Sequence, residues 1–588
     1  MALPIEDYAL IGDRGTAALV GKDGSIDWLC LPRFDSPACF AALLGTEENG
    51  RWLLAPADEV VATSRQYLDG TACLETTFTL ADGEVVLLDV MPVGDDRADV
   101  VRRLTCTRGT VRIRHDWVVR TDYGHVRPWV SREQAHGDEV VVAVAGPDKL
   151  VLRGPHLPHG HHGHHSDEFE MSAGDEATFS TTWVRSWRDI PRPLGFDERI
   201  DATTMRQREW SARCPDDVPH ADLVRRSLLT LLLMTHAETG GIVAAPTTSL
   251  PEDFGGERNW DYRFCWLRDA ALTLESLLSA GYAQEALHWR SWLLRAVAGD
   301  PADLQIMYAV DGGRQLPERE VPHLPGYADS RPVRIGNGAV CQRQNDVLGE
   351  VMIALELARE SGLADTPNSW ALQRALVDEL ADHWDEPDNG LWEIRGPQRH
   401  FTHSRVMVWV AFDRAVKAVE RHGLDGTVDR WRELRDQVRE EILDKGFDHE
   451  RGTFTQHYDT TAVDASLLTI PLVGFLPGDD PRVLGTIDAV IADLDVGGLL
   501  LRYRTETGVD GIAGDEHPFL ACSFWLVSAL ATAGRREQAT ELMDRLCGLA
   551  NDVGLLSEEY DVTHERMAGN FPQAFSHLAL VQAALALR

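Results

Sequence analysis

Two glutamates stand beside aromatic residues in segments that are far apart in the chain. Glu393 follows Trp392 directly, and Glu558 lies two residues before Tyr560. Cleavage of a glycosidic bond with inversion needs one carboxylic acid to protonate the leaving oxygen and one carboxylate to activate water, roughly 6.5–9.5 Å away. Two loops that are distant in sequence can hold this separation, so the pair predicts the two halves of one hydrolytic site.

The chain has 588 residues and a formal net charge of −36. This length exceeds that of one ordinary hydrophobic core, so we expect two domains. Proteins that bind nucleic acids or anionic membranes need clustered lysines and arginines, which the acidic balance disfavours. A neutral, soluble substrate therefore fits better than a nucleic acid or a membrane surface.

The sequence favours a soluble protein in a reducing compartment. Its N-terminus shows no basic region followed by an apolar stretch, and no apolar run reaches about 18 residues. The nine cysteines show no CxxC spacing, and Cys265, Cys522 and Cys547 lie in apolar surroundings. Reduced, buried thiols are the simplest interpretation. We expect a cytoplasmic location.

Short strand patterns separated by turn signals fill residues 1–190. Two examples are Val85–Val90, which follows the turn pair Asp82-Gly83, and Glu139–Val144. Many short strands without helical segments between them indicate antiparallel sheets packed face to face. We predict an antiparallel β-sandwich over 1–190, followed by a helical linker over 191–218.

Beyond Pro219 the apolar residues recur with a helical period. We count twelve such segments between Ala221 and Leu587, one of which is Ala465–Phe475. Twelve helices make six hairpins, which can close into an (α/α)6 toroid with long loops at one end. An open solenoid would show a fixed repeat, which this sequence lacks. The prediction is an (α/α)6 catalytic toroid over 219–588.

Four motifs resemble those of glycoside hydrolase family 15, which contains the glucoamylases and related microbial trehalases. In chain order they are Asn259–Ala270, Gln342–Asp346, Gly390–Glu393 and Ser557–Asp561, the last followed by Gly569–His577. The start of the chain is similar to that of the bacterial cytoplasmic two-domain members, through Asp7–Arg14 and Gly24–Trp28. The resemblance covers nearly the whole chain. It implies a β-sandwich, an (α/α)6 catalytic toroid and an inverting mechanism.

The resemblance also implies roles for individual residues. Glu393 matches the family's general acid and Glu558 its general base, whereas chemistry alone does not choose between Glu558 and the adjacent Glu559. The family's residues that hold the non-reducing glucose match Tyr262, Trp266, Arg268 and Asp269. Further candidates for substrate binding are Trp392, Gln344, Asp346 and Arg502.

Elementary chemistry agrees with these assignments. An aromatic face stacks on the apolar C–H surface of a sugar, and an arginine–aspartate pair such as Arg268 and Asp269 presents fixed donors and acceptors to hydroxyls. The sequence departs from the fungal glucoamylases after Glu393, where Ile394 replaces a second carboxylate. The tuning of the acid and the shape of the next sugar subsite are left open.

The favoured reaction is inverting hydrolysis of α,α-trehalose to two glucose molecules. One alternative is a glucoamylase-like exo-α-glucosidase acting on maltooligosaccharides, isomaltose or dextrin. A disaccharide phosphorylase would need an anion pocket in place of a base such as Glu558, and a catalytically silent carbohydrate-binding protein would lack one carboxylate. The mechanism requires no cofactor and no metal ion. Modulation by phosphate or a divalent cation is left open, as is the oligomeric state, for which a homo-oligomer is one option.

A histidine-rich stretch extends from His156 to His165 in the predicted sheet domain. Imidazoles so close together can share a zinc or nickel ion. We expect a solvated loop with incidental metal affinity and no part in catalysis.

Overall fold

A computed structural model of the chain describes residues 2–94, 97–161, 163–512 and 514–588. Over these ranges the chain forms an antiparallel sheet domain followed by a helical domain, as predicted at this level. Within the described part of the chain, every helix is too short or too polar to cross a lipid bilayer.

The sheet domain is built from 15 connected strands. They are β1 (Tyr8–Gly12), β2 (Ala17–Gly21), β3 (Ser25–Cys30), β4 (Ala38–Phe40), β5 (Arg51–Pro56), β6 (Ala62–Tyr67), β7 (Leu74–Thr79), β8 (Gly83–Val90), β9 (Ala98–Val118), β10 (Trp129–Ala135), β11 (Asp138–Ala145), β12 (Asp148–Arg153), β13 (His159–His161), β14 (His164–Ser172) and β15 (Glu176–Arg185). The predicted strands Val85–Val90 and Glu139–Val144 lie inside β8 and β11.

The strand β9 connects the two halves of this domain because it is 21 residues long. Its first half pairs with β8 and β15, and its second half pairs with β5 and β14, all antiparallel. Along β7 buried residues alternate with half-exposed ones, which is the pattern of a strand that turns one face to a core.

The helices follow the sheet domain, apart from α1 (Thr121–Gly124), a single turn between β9 and β10. They are α2 (Phe196–Ser211), α3 (Ala221–Leu233), α4 (Leu267–Ser279), α5 (Ala283–Ala296), α6 (Val347–Glu360), α7 (Pro367–His383), α8 (Thr402–His422), α9 (Val428–Lys445), α10 (Pro481–Leu494), α11 (Leu520–Thr532), α12 (Arg536–Cys547) and α13 (Ala574–Ala586). Helix α2 occupies the predicted linker.

Short two-stranded ribbons lie in the loops between the helices. Their strands are β16 (Thr248–Pro251), β17 (Asn259–Asp261), β18 (Cys265–Trp266), β19 (Met307–Tyr308), β20 (Arg319–Glu320), β21 (Arg334–Ile335), β22 (Phe447–Asp448), β23 (Thr453–Phe454), β24 (Asp495–Val496), β25 (Leu499–Leu500), β26 (Glu559–Asp561) and β27 (Arg566–Ala568). The motif segments that begin at Asn259 and Ser557 therefore run through β-ribbons.

One predicted α-helix is absent as such. The segment Ala465–Phe475 forms a 3-10 helix only over Ala465–Thr469, with turns beyond it. Pro471 explains the early end, because proline lacks the N–H of a helical hydrogen bond and its ring clashes with the preceding turn. The described residues beyond 219 thus contain 11 α-helices and this 3-10 helix in place of the twelfth.

Six helical elements contact one another in a closed circle. The order is α4, α6, α8, the 3-10 helix, α11, α13 and then α4 again. A second set packs outside them, with α3 on α13, α5 on α4, α7 and α9 on α8, α10 on the 3-10 helix and α12 on α11. The motif residues Arg268, Asp346 and Phe575 all lie at the N-terminal ends of circle members, so these ends gather around the predicted site.

The sheet domain holds one of the motif segments in place. Arg263 is fully buried, and its guanidinium donates to Asp261, to the hydroxyl of Tyr123 at 2.9 Å and to the carbonyl of Ser36 at 2.9 Å. Both Ser36 and Tyr123 belong to the sheet domain. The neighbour of Arg263 in sequence, Tyr262, is thereby fixed relative to that domain.

Candidate active site

A cavity at the N-terminal ends of α4, α11 and α13 contains both predicted catalytic carboxylates, Glu393 and Glu558. Six of the eight predicted substrate-binding residues also line it, namely Tyr262, Trp266, Arg268, Asp269, Trp392 and Arg502. Its described lining runs from Ala244 to Phe575, so it includes no residue of the sheet domain.

Glu393 lies in a tight loop that presents its carboxylate to an indole. The backbone φ of Glu393 is 59° and that of Gly390 is 68°. Both lie in the left-handed region, which residues other than glycine rarely adopt. Trp266 Nε1 donates to Glu393 Oε1 at 2.5 Å, and Arg268 lies 3.8 Å from the same oxygen. Burial nevertheless raises the pKa of Glu393 to about 7, against the opposing effects of Arg268 and Trp266. A carboxyl of this kind retains its proton near neutral pH.

Glu558 is buried more deeply, with 1% of its surface exposed. Its two oxygens accept separate hydrogen bonds, Oε1 from the hydroxyl of Tyr262 at 2.7 Å and Oε2 from the backbone N–H of Asn570 at 3.1 Å. Burial, and next the charge of Glu252, raise the pKa of Glu558 to about 8, while Arg502 opposes this shift.

Tyr262 and Trp266 connect the two carboxyl groups. Their rings meet edge to face with centroids 5.5 Å apart. Tyr262 donates a hydrogen bond to Glu558 and Trp266 donates one to Glu393, so each carboxyl is bound by a different member of one aromatic pair. This arrangement keeps the two groups apart and gives the space between them an aromatic wall.

The structure separates the roles of the adjacent Glu558 and Glu559. Glu558 lines the cavity, whereas Glu559 lies behind it, with Oε2 accepting from the N–H of His517 at 3.0 Å and Oε1 lying 3.3 Å from Arg502. Glu559 thus pairs with Arg502 and does not line the cavity.

Arg502 sits at the centre of a buried acidic group. It donates to Glu516 at 2.6 Å and to Glu252 at 2.9 Å, in addition to its contact with Glu559. Glu252, Glu516 and Glu559 form the one group of three possible metal ligands in the described residues, with ligand atoms within 4.8 Å of one another. The guanidinium of Arg502 already supplies the positive charge that these carboxylates need.

The predicted sugar-binding pair is preorganised. Arg268 Nε donates to Asp269 Oδ1 at 2.8 Å, and Arg268 Nη1 donates to the carbonyl of Leu391 at 2.7 Å. The second bond ties the first turn of α4 to the loop that carries Glu393. Trp392 is held in turn by a hydrogen bond from its Nε1 to Asp464 at 2.9 Å.

Two predicted binding residues lie elsewhere. Gln344 and Asp346 are buried outside the cavity lining, and both oxygens of Asp346 lack a hydrogen-bond partner. Burial raises the pKa of Asp346 to about 6, with Arg268 opposing the shift. Asp346 therefore interacts with Arg268 from outside the cavity lining. The sugar-binding roles of Gln344 and Asp346 stay predictions.

Other cavity residues were missed from the sequence. Two guanidinium groups lie over the ring of Trp260, that of Arg395 at 4.2 Å and that of Arg334 at 4.5 Å from its centroid. Arg258 donates to Asp510 at 2.5 Å. Trp260 lies within the first motif and Arg258 directly precedes it, which was a signal for both. Asp510 had no such signal, because it lies in a loop without a recognisable pattern.

The histidine-rich stretch forms a hairpin of β13 and β14, so the predicted loop is wrong in its conformation. His159 is exposed and forms a hydrogen bond with Asp167 at 2.9 Å, and His164 forms one with Glu48 at 3.1 Å. His162 lies outside the described residues. Among those that are described, these histidines belong to no group of three metal ligands.

The nine cysteines are all free. Seven of them, including Cys265 and Cys522, are buried, Cys547 is half-buried and Cys341 is exposed.

Two family models match most of the chain. Residues 218–585 match the family model described as "Glycosyl hydrolases family 15", and residues 1–168 match that described as "Trehalase-like, N-terminal". A trehalase of Mycobacterium tuberculosis is 38% identical to this chain over 99% of it and 89% of the relative. A trehalase of Thermoplasma volcanium is 33% identical over 99% of this chain and 93% of the relative.

A crystal structure of a bacterial glucoamylase complexed with acarbose superposes with a TM-score of 0.73. The match covers 100% of this chain and 94% of the glucoamylase at 12% identity, which shows a common fold. The family model and the full-length relatives establish that the chain belongs to glycoside hydrolase family 15 and is a glycoside hydrolase.

Proposed function

We propose that this enzyme hydrolyses α,α-trehalose to two glucose molecules with inversion at the attacked anomeric carbon. The observation that carries the proposal is the placement of Glu393 and Glu558 on one cavity, joined through Trp266 and Tyr262. Full-length relatives named as trehalases favour trehalose over other α-glucosides.

In this mechanism Glu393, protonated, gives its proton to the bridging oxygen between the two sugars. Glu558, ionised, takes a proton from a water molecule that attacks the anomeric carbon from the opposite face. Tyr262 and Asn570 orient the two oxygens of Glu558, so one of them is directed to the water. Arg268 and Asp269 hold the hydroxyls of the glucose whose anomeric carbon is attacked, and Arg502 faces the second glucose.

The test is proton NMR of the purified enzyme incubated separately with trehalose, maltose and isomaltose, with and without phosphate. We expect β-glucose to appear first from trehalose, before mutarotation, together with an equal amount of α-glucose from the leaving half. Faster turnover of maltose or isomaltose would replace trehalose by a glucoamylase-like substrate. Glucose 1-phosphate formed only with phosphate would contradict the role of Glu558 as a base.

We also propose that the fold consists of an antiparallel β-sandwich over 1–190, a helical linker over 191–218 and an (α/α)6 toroid over 219–588. The closed circle of six inner elements, with a second set of helices packed outside it, supports the toroid. The pairing of β9 in both halves of the sheet domain supports the sandwich.

The proposed location is the cytoplasm, and the proposed partner is a small sugar with no nucleic acid or membrane. Free thiols at Cys265 and Cys522, buried in the helical domain, suit a reducing compartment. No cofactor is needed, because the two carboxyls carry out both proton transfers.

The pH dependence follows from the two raised pKa values. Glu393 must be protonated and loses its proton as the pH rises, whereas Glu558 must be ionised and gains a proton as the pH falls. Because the pKa of the acid (about 7) lies below that of the base (about 8), the state with Glu393 protonated and Glu558 ionised is a minor fraction at every pH and is most populated between the two values. We therefore expect kcat/KM to form a bell with its maximum between pH 7 and 8. Initial rates from pH 4 to 10 check this, and a maximum near pH 4.5 would contradict it.

Gly569 is predicted to be essential for the position of Glu558. Its φ is 74°, and a Cβ at this residue would lie 2.6 Å from both Cβ and Oε2 of Glu558. Gly569→Ala should displace the carboxylate and lower kcat by about 10²-fold, with about 1–3 kcal/mol lost in stability.

Gly423→Ala is the matched control for this variant. Gly423 has a φ of 68°, and no atom lies within 4 Å of the position that a Cβ would take, so the substitution brings similar backbone strain far from the site. Thermal melting should show a loss of stability for both variants, and only Gly569→Ala should lose activity. Equal activities would show that Glu558 tolerates the displacement.

A further inference from the structure

A second cavity lies on the axis of the inner circle, beyond the floor of the active site. Its volume is about 290 Å³, near the lower end of the range for small-molecule sites. All six inner elements contribute to its wall, for example Glu275 from α4, Glu350 from α6 and Trp525 from α11. Ser279 and Ala586, the exposed residues at the C-terminal ends of α4 and α13, form its rim.

Two carboxyl groups face this cavity without partners. Glu350 is 6% exposed, and neither it nor Glu275 accepts a side-chain hydrogen bond or forms a salt bridge within the described part of the chain. Burial raises the pKa of Glu350 well above its usual value, and the charges of Asp346, Glu275 and Asp269 raise it further, while Arg268 opposes the shift. Burial of unpaired acids is costly, so a cation that entered would relieve an unfavourable arrangement.

Arg414, the one arginine among the described wall residues, is paired with other acids, although its charge partly opposes the raised pKa of Glu275. Arg414 donates to Asp413 at 2.7 Å and to the carbonyl of Val473 at 2.8 Å, and pairs with Glu356 at 2.7 Å. His403, also on the wall, is 3% exposed with an unpartnered Nδ1, and burial lowers its pKa to about 3, so it stays neutral.

The rest of the wall is apolar and aromatic. Leu272, Ile353, Leu391 and Trp525 surround the space that the two acids face. A carboxylate pair beside an indole and aliphatic side chains matches a cation that carries a short apolar chain, because the ammonium can bind the acids while the chain packs on the apolar wall.

From this arrangement we propose that the axial cavity is a binding site for a small organic primary ammonium ion, separate from the sugar site. Leu391 lines both cavities, and its carbonyl accepts from Arg268 on the active-site side. An ammonium ion in the axial cavity therefore contacts the loop that carries Glu393 without entering the sugar site.

The test is ligand-observed NMR titration of the whole enzyme at pH 8 with n-butylammonium, with neutral butan-1-ol as the reference of equal chain length. We expect n-butylammonium to bind at least about tenfold more tightly, the difference that a charge-assisted hydrogen bond provides. Saturating glucose should leave this binding unchanged. Equal binding of the alcohol, or displacement of the amine by glucose, would overturn the proposal.

Two variants locate the site. The near-isosteric double change Glu275→Gln with Glu350→Gln should abolish the preference for the ammonium ion while the melting temperature is retained or raised. Ser279→Trp, at the exposed rim, should block entry without altering the core. Unchanged amine binding in both variants would place the ligand elsewhere and overturn the proposal, and if the double variant fails to fold, the rim variant decides alone.

Discussion

Glu558→Gln is expected to lower kcat for trehalose by about 10²–10⁴-fold, the usual contribution of a positioned general base. An amide cannot accept the proton of the attacking water, although it fills the same space. It retains one of the two hydrogen bonds made by Tyr262 and Asn570, so the loss of stability should be about 1 kcal/mol. Steady-state kinetics and thermal melting measure the two effects.

Glu565→Gln is the matched control. Glu565 is exposed in the turn between β26 and β27, only a few residues from Glu558, and lines no part of the cavity. Its replacement should leave kcat and KM unchanged. An active Glu558→Gln enzyme would show that Glu558 is not the general base, and Glu559 would then be the next candidate.

Glu393→Gln should lower trehalose hydrolysis by a comparable factor of about 10²–10⁴ but should spare α-glucosyl fluoride. Fluoride leaves without a proton, so the general acid is not needed for that substrate. The base is still needed, because water must still be activated. Fluoride release recorded with an ion-selective electrode, in parallel with glucose release from trehalose, gives the comparison.

The two glutamine variants serve as controls for each other. Glu558→Gln should fail with both substrates, and Glu393→Gln should fail only with trehalose. An equal loss on both substrates for Glu393→Gln would show that Glu393 positions the sugar or the water and does not donate the proton. The hydrogen bond from Trp266 can persist to the amide oxygen, so the loop should keep its conformation.

The order of a sheet domain followed by a helical domain could be predicted from the sequence, because strands and helices leave local patterns in it. A short apolar run beside the turn pair Asp82-Gly83 predicted β8, and an apolar period of 3.6 residues predicted helices such as α8. The failure at Ala465–Phe475 has a local cause as well, since Pro471 ends the helix although the apolar period continues beyond it. The prediction followed the apolar period and therefore extended the helix past Pro471.

By itself, the sequence determined which residue types could perform the chemistry: two glutamates in aromatic loops, and an Arg268–Asp269 pair to hold a sugar. Only the tertiary structure decided that Glu558, directly before β26, faces the cavity while Glu559, the first residue of β26, turns to Arg502. Adjacent side chains of an extended backbone point in opposite directions.

The tertiary structure also decided the electrostatics of both carboxyls. The pKa of a group depends on burial and on charges that lie far away in sequence, such as Glu252 beside Glu558. The axial cavity is of the same kind, because Glu275 and Glu350 face each other only when α4 and α6 pack side by side. Local periodicity places each of them on a helix, and the closed circle of helices brings them together.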